Sequence, residues 1–243
     1  MAELHEEILF RQPESSDLGS CPICLLPLSL EGNTSMAYSC CCKIICNGCA
    51  YANTMRVLNE KLVPKCPFCR EPLANKHSND DLKRKKRAEA NDPIALRQVG
   101  KKGYDEGDYI TAFEHLSKAA ELGDAESHRK LSFMYRDGIG VRRDKKKQVR
   151  HLEEAAIGGN HAARYDLGFV EFGGNRRTDR VVKHWIIAAS GGQKQSLETL
   201  KDCYKQGLVK KDDLLHVIRS YQAAIDATKS PQMEAAMKSL QRN

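Results

Sequence analysis

Nine of the ten cysteines lie between Cys21 and Cys69, and sulfur at that density restricts the fold more than any other feature of the chain. The cysteines come in pairs. Cys21-Pro22-Ile23-Cys24 opens the stretch, Cys66-Pro67-Phe68-Cys69 closes it, and Cys40-Cys41-Cys42 followed by Cys46-Asn47-Gly48-Cys49 lies between. A Cys-x-x-Cys turn lets the backbone double back and offer two sulfurs to one ion, and four thiolates complete the tetrahedral shell of Zn²⁺. One such turn is a weak signal; three with an added cluster are a strong one. The first residues, MAELHEEILFRQ, are acidic and lack the basic-then-apolar order of a secretory signal. We therefore expect a reducing compartment, cytoplasm or nucleus, where clustered thiols hold metal rather than disulfides. The expectation is two Zn²⁺ ions, with one sulfur left over. No stretch approaches the roughly 18 apolar residues that span a bilayer, so no membrane partner is expected.

Around this stretch the composition divides the chain. Residues 1–19 are polar and rich in Ser, Pro and Gly, and read as a mobile lead-in with at most a short helix near Glu6–Phe10. Residues 20–72 are too few and too poor in large apolar side chains to bury a self-sufficient core, so metal would supply folding energy. Residues 73–92 form a charged connector without apolar periodicity. Its run Lys83-Arg84-Lys85-Lys86-Arg87 supplies much of the net charge of +7. Such a run suits a nuclear-localisation signal or a solvated linker. No aromatic side chains are interleaved with it, which argues against a nucleic-acid partner bound by base stacking.

From Pro93 to about residue 222 the pattern becomes repetitive. Leu116-Ser-Lys-Ala119-Ala120-Glu-Leu-Gly123 is echoed by Leu152-Glu-Glu-Ala155-Ala156-Ile-Gly158-Gly159 and by Trp185-Ile-Ile-Ala188-Ala189-Ser-Gly191-Gly192. The copies are thirty-six and then thirty-three residues apart, a period that belongs to stacked helix pairs. Small residues recur where two helices approach closely, and glycines follow each second helix, where a left-handed cap is wanted. Trp185 falls at a core position of this register. The register resembles the tetratricopeptide superfamily and, within it, the Sel-one-like branch. Val99, Gly100, Gly107, Tyr109, Ala112, Leu116 and Ala119 occupy its positions in the first unit, and Asp137-Gly-Ile-Gly140 resembles its longer loop. The third unit's loop, 172–179, is shorter, and the fourth, around Leu200–Tyr221, is degenerate. The resemblance implies an all-α solenoid that binds protein, followed by a tail or last helix over 223–243.

The order of cysteine pairs resembles a RING domain, a small cross-braced module with two zincs. In that family the first and third pairs share one metal and the second and fourth the other. Carried over, Cys21, Cys24, Cys46 and Cys49 form one site. Cys66 and Cys69 join two of the triplet, Cys40 with either Cys41 or Cys42; the family's spacing favours Cys41. The family's usual histidine is absent, so this is the all-cysteine variant. The resemblance further implies a ubiquitin ligase that recruits a charged ubiquitin-conjugating enzyme through Ile23, Leu62 and Pro67. Arg70 would be the linchpin that contacts ubiquitin and the enzyme together, while the repeats take a substrate or scaffold. The tryptophan common before the seventh ligand is missing, and Leu62 or Leu58 would take its place. The rival is a zinc-organised assembly adaptor that promotes no transfer. Elsewhere, Cys203 reads as an inert core thiol, and His151 and His184 as packing or surface residues.

Overall fold

Most helices of the repeat region begin on a side chain that accepts from their own first free N–H groups. Asp92 caps Ile94 and Ala95, Asp108 caps Thr111, Asp124 caps Ser127, Asp144 caps Lys146 and Lys147, and Asn160 caps Ala163. Each cap satisfies donors that the helix itself leaves unpaired, worth about 1 kcal/mol apiece. The computed structural model describes residues 2–32, 34–73, 77–173 and 178–240. In chain order these form α1 (Ala2–Leu9), β1 (Ser35–Ala37), β2 (Ile44–Cys46), α2 (Asn47–Asn59), α3 (His77–Glu89) and α4 (Pro93–Asp105). There follow α5 (Tyr109–Glu121), α6 (Ala125–Asp137), α7 (Lys145–Ile157), α8 (His161–Phe172) and α9 (Thr178–Ser190). The last three are α10 (Lys194–Lys205), α11 (Lys211–Asp226) and α12 (Pro231–Leu240).

Helices α4 to α11 pack as successive antiparallel pairs, α4 with α5, α6 with α7, α8 with α9, and α10 beside α11. The Ala-Ala pairs of α5, α7 and α9 are all buried, as are Leu116, Leu152 and Trp185 before them. The small residues opposite explain how the helices come so close. A Cβ added at Gly168 of α8 would overlap the Trp185 indole, whose Nε1 donates to the Tyr165 carbonyl at 3.3 Å. Cys203 lies in the same core cluster as Trp185, and burial pushes its thiol up, so it is packing rather than a nucleophile. Most of the third unit's loop, residues 174–177, lies outside the described residues.

The lead-in and the connector differ from the expected organisation, and the last segment takes its helical alternative. The lead-in is docked: Leu9 is buried among Leu152, Ala155, Ala156, Ala163 and Leu167, and Asn160 donates to Asp17 at 2.8 Å. Only Leu9 and, half-buried, Phe10 carry the apolar part of this contact, too few to make a periodic signal. The connector is helical. α3 buries only Ala88 among its described side chains, which hides the usual periodicity, and polar contacts hold it on both sides. Lys83 meets Glu71 at 3.2 Å and Lys102 meets Asp81 at 2.5 Å. The tail is the helix α12, seated on the cysteine region. A Cβ at Gly48 of α2 would come within 2.6 Å of the Met233 backbone nitrogen, and the Met233 side chain packs against Cys21, Leu28, Ile45 and Cys46. The cysteine region is thus packed against the helices rather than tethered to them.

Two outcomes are expected. Trp185→Ala leaves a cavity costing about 3–5 kcal/mol, and far-UV circular dichroism should show the repeat helices melting at a lower denaturant concentration than in the wild type. The half-buried Asp17 carboxyl is pushed up from 3.8 to about 6, chiefly by burial, with the Glu126 carboxylate adding to it and the Asn160 hydrogen bond opposing it. A carboxyl raised on docking favours the docked state only while protonated, so its contribution is lost as pH rises from 3.8 to about 6. Asp17→Asn should therefore stabilise the chain by on the order of 1–2 kcal/mol above that window and by little below it, read from melting curves across pH.

Candidate metal centres

The first and last Cys-x-x-Cys turns have the same backbone build. In each, the N–H one residue past the second cysteine returns to the carbonyl of the first: Leu25 to Cys21 at 2.8 Å and Arg70 to Cys66 at 3.0 Å. The first cysteine's N–H then reaches forward to Leu26 (2.9 Å) or Glu71 (2.8 Å). Both Leu25 and Arg70 adopt the left-handed conformation, φ 62°, which an L side chain accepts at some cost. The short hairpin of β1 and β2, paired Ser35 with Cys46 through Ala37 with Ile44, delivers Cys46 to the start of α2. There Cys46 Sγ accepts from the Cys49 N–H at 3.4 Å.

These local forms bring the sulfurs into two groups of four. Cys21, Cys24, Cys46 and Cys49 lie with all Sγ atoms within 4.8 Å of one another, and Cys40, Cys41, Cys66 and Cys69 do the same. Four sulfurs about 2.3 Å from a tetrahedral zinc are about 3.8 Å apart. The separations are 3.7 Å for Cys24–Cys46, 3.9 Å for Cys41–Cys66 and 3.4 Å for Cys69–Cys40. None is a disulfide. Burial first, and then the neighbouring sulfurs, drive the Cys40 and Cys49 thiols well above their ordinary range, and burial lifts Cys41 and Cys46 to about 11. A dication at the centre of each group would reverse that penalty. The donor set fits zinc, and four protein ligands at each centre would leave no position for a reactive water.

The triplet resolves in favour of Cys41. Cys42, at φ 51°, turns its side chain the other way, into a cluster with Ala88, Ala95, Leu96 and Ala119. It is the leftover sulfur, and it joins the cysteine region to α3, α4 and α5 as a small apolar plug. Nothing in residues 40–46 alone distinguishes this role, because the partners of Cys42 lie in the helices downstream.

The expected partner-binding residues face solvent: Ile23 is 42% exposed and Leu62 43%, Arg70 is exposed and Pro67 half-buried. Leu25, Val63 and Phe68, which the pattern of ligands does not single out, are exposed as well. For Leu25 and Phe68 the signal was available, since both flank the second cysteine of a tight turn. Among the histidines, His184 is buried against Glu171 at 3.3 Å, and His151 stacks on Tyr135. No described helix is long and apolar enough to cross a membrane.

The helix pairs of α4 to α7 coincide with a match to the Sel1 repeat family model over residues 93–124 and 125–160. Residues 93–160 are two Sel1 repeats. The match does not extend to the cysteine region. Among solved structures, a Sel1 repeat protein from Oxalobacter formigenes superposes with a TM-score of 0.53 at 22% identity, covering 74% of each chain. A protective antigen of uropathogenic Escherichia coli with an SLR fold gives 0.52 at 21% identity, covering 69% of this chain and 42% of its own. Both likenesses are of fold. A search of curated proteins gives no match. The stacking of helix pairs continues into α8 and α9, where Gly168 and Trp185 repeat the contact of Gly100 with Leu116.

Elemental analysis is expected to find two zincs per chain. Cys41→Ser should lose one, whereas Cys42→Ser should keep both and lower the melting temperature by removing the sulfur from its contacts with Ala88, Ala95, Leu96 and Ala119. Chelation should loosen α12, which rests on the first sulfur group, and leave the helicity of α4 to α9 in place.

Proposed function

We propose that the chain is a zinc-organised interaction scaffold. The Sel1 repeats hold one protein partner, and the cysteine region, braced by two zinc ions on Cys21, Cys24, Cys46 and Cys49 and on Cys40, Cys41, Cys66 and Cys69, presents a second binding surface. The observation that carries this reading is the Sel1 match over residues 93–160, since stacked helix pairs offer extended surface and no reactive centre. The packing of α12 against the cysteine region, and of Cys42 against α3, α4 and α5, supports it further, because two surfaces held rigidly can set the geometry between two partners. Affinity capture from cells, followed by mass spectrometry, tests the scaffold. Substitutions on the exposed repeat surface and at Ile23 should each remove a different partner, and a chain that captures none sinks the reading.

A second reading, ubiquitin ligation, is favoured by one specific observation: Ile23, Leu62 and Arg70 are all exposed, on an all-cysteine arrangement that resembles a RING domain. In this reading Ile23, Leu62 and Pro67 contact a ubiquitin-conjugating enzyme. The Arg70 guanidinium donates to ubiquitin and to that enzyme at once, holding the thioester in a reactive geometry. Single-turnover discharge of ubiquitin to free lysine, over a panel of conjugating enzymes, separates the two. The scaffold alone leaves the discharge rate unchanged. A ligase accelerates it, Ile23→Ala weakens recruitment, and Arg70→Ala abolishes acceleration while preserving zinc, since alanine keeps the same left-handed turn. Arg70→Lys should retain only part, lacking the planar fork.

A further inference from the structure

Thirteen consecutive residues, 5–17, lie across the Sel1 array in the way a bound peptide would. Leu9, only 1% exposed, fills an apolar pocket between α7 and α8. Phe10 sits against the His184 ring at 4.6 Å, beneath the Arg180 guanidinium at 4.8 Å and the Lys183 ammonium at 5.6 Å. Glu6 pairs with Arg180 at 2.5 Å. Further along, the Asp17 N–H donates to the Gly159 carbonyl at 3.3 Å, and the Asp17 carboxylate takes the Asn160 amide.

Arg164 shows what this groove is built to hold. It is 1% exposed, and among the described residues it forms no ion pair. Its guanidinium donates to the carbonyls of Leu9, Arg11 and Ala156, two of which belong to the end of α1 and the residues just after it. A cation at the carbonyl end of a helix is favourably placed with respect to the helix dipole. A buried charge answered only by main-chain carbonyls is a reader of backbone, and it asks little of the sequence it reads. On the array side the contacts described here come from α7, α8, α9 and the turn between α7 and α8. On the other side they come from one short linear segment, whose residues 4–8 are otherwise exposed. If the segment leaves, Arg164 can be met by water, so its departure strands no charge.

We propose that this groove is a peptide-binding site of the array and that residues 5–17 occupy it in cis. The partner it fits is another protein's acidic helical turn, a carboxylate followed three and four residues later by an aliphatic and an aromatic side chain, then an extended stretch. The carboxylate meets Arg180, the aliphatic side chain fills the α7–α8 pocket, the ring packs under Arg180 and Lys183, and Arg164 takes the terminal carbonyls. The leading segment is then a built-in competitor. Joined to the array, it acts at a local concentration of about 1 mM, enough to mask a groove of moderate affinity by about tenfold. The inference rests on the scaffold reading and specifies one of its surfaces.

The probe is a fluorescent synthetic peptide of residues 4–18. Its binding is measured by anisotropy to the full zinc-loaded chain and to the same full chain carrying Leu9→Ala and Phe10→Ala, which loosen the cis contact. The loosened chain should bind the peptide about tenfold more tightly than the wild type. Adding Arg180→Glu to it should abolish binding, as should Phe10→Ala in the peptide. A loosened chain that keeps its helicity and does not bind, or binding that is equal in both chains, overturns the proposal. Should the loosened chain lose helicity, hydrogen exchange on the wild type decides: excess peptide must accelerate exchange of amides 5–17, and unchanged exchange overturns it. A wild-type dimer that dissociates on adding peptide identifies the occupant as a second copy and overturns the foreign partner. Partner capture by the wild-type and loosened chains is run in parallel. Partners without peptide binding sink the groove alone, and no partners at all sink the scaffold.

Discussion

Four sulfurs within 4.8 Å of one another, two of the four cysteines buried in each group, are an electrostatic problem before they are a structural element. As thiolates they repel, as thiols they are weak and poorly directed hydrogen-bonding groups, and only a cation at the centre makes the arrangement favourable. Each group draws on parts of the chain remote in sequence, Cys21 with Cys49 and Cys40 with Cys69, so filling both centres would fix the relative places of the hairpin, α2 and the two end turns. The region's apolar core, built around Leu28 and Ile45, is too small to impose this alone.

From the two centres the constraint passes outward. Cys46 and Cys49 start α2, Gly48 lets α12 lie directly on it, and Met233 closes the first sulfur group from outside. Cys42, excluded from the second group, turns into the apolar cluster at the first Sel1 pair. The cysteine region and the helical array, each of a kind that commonly stands apart, here share the buried Cys42 at the first helix pair, and α12, which follows the array, lies on α2. The consequence is geometric: a partner bound at Ile23 and Leu62 would be held at a set position relative to one bound on the repeats.

The array has its own logic, which is steric. An Ala-Ala pair on each second helix and a small residue on each first helix bring the backbones close, and a single large residue, Leu116 or Trp185, fills the space that remains. Polar groups sit at the helix starts, where Asp and Asn caps satisfy the free N–H groups. The same turns that carry the caps also receive the leading segment, through Gly159 and Asn160, so the elements that end one helix and begin the next double as a recognition edge.

The presence of two four-sulfur groups and the helix-pair repeat were legible in the amino-acid order, because the Cys-x-x-Cys turns and the interval between Ala-Ala pairs are local spacings; which turns share a group was implied only by the resemblance to a RING domain. The sequence by itself therefore determined that there are two four-sulfur groups and a stack of helix pairs. It left Cys41 and Cys42 as alternatives, since adjacent cysteines have the same spacing to every other ligand within one residue. Only the tertiary structure decided between them, because the deciding neighbours, Ala88, Ala95, Leu96 and Ala119, come from helices that begin far downstream. The docking of residues 5–17 was hidden for the same reason. Two apolar side chains and one carboxylate make no pattern along the chain, and their meaning comes from a buried arginine and an apolar pocket that exist only once α7, α8 and α9 have packed.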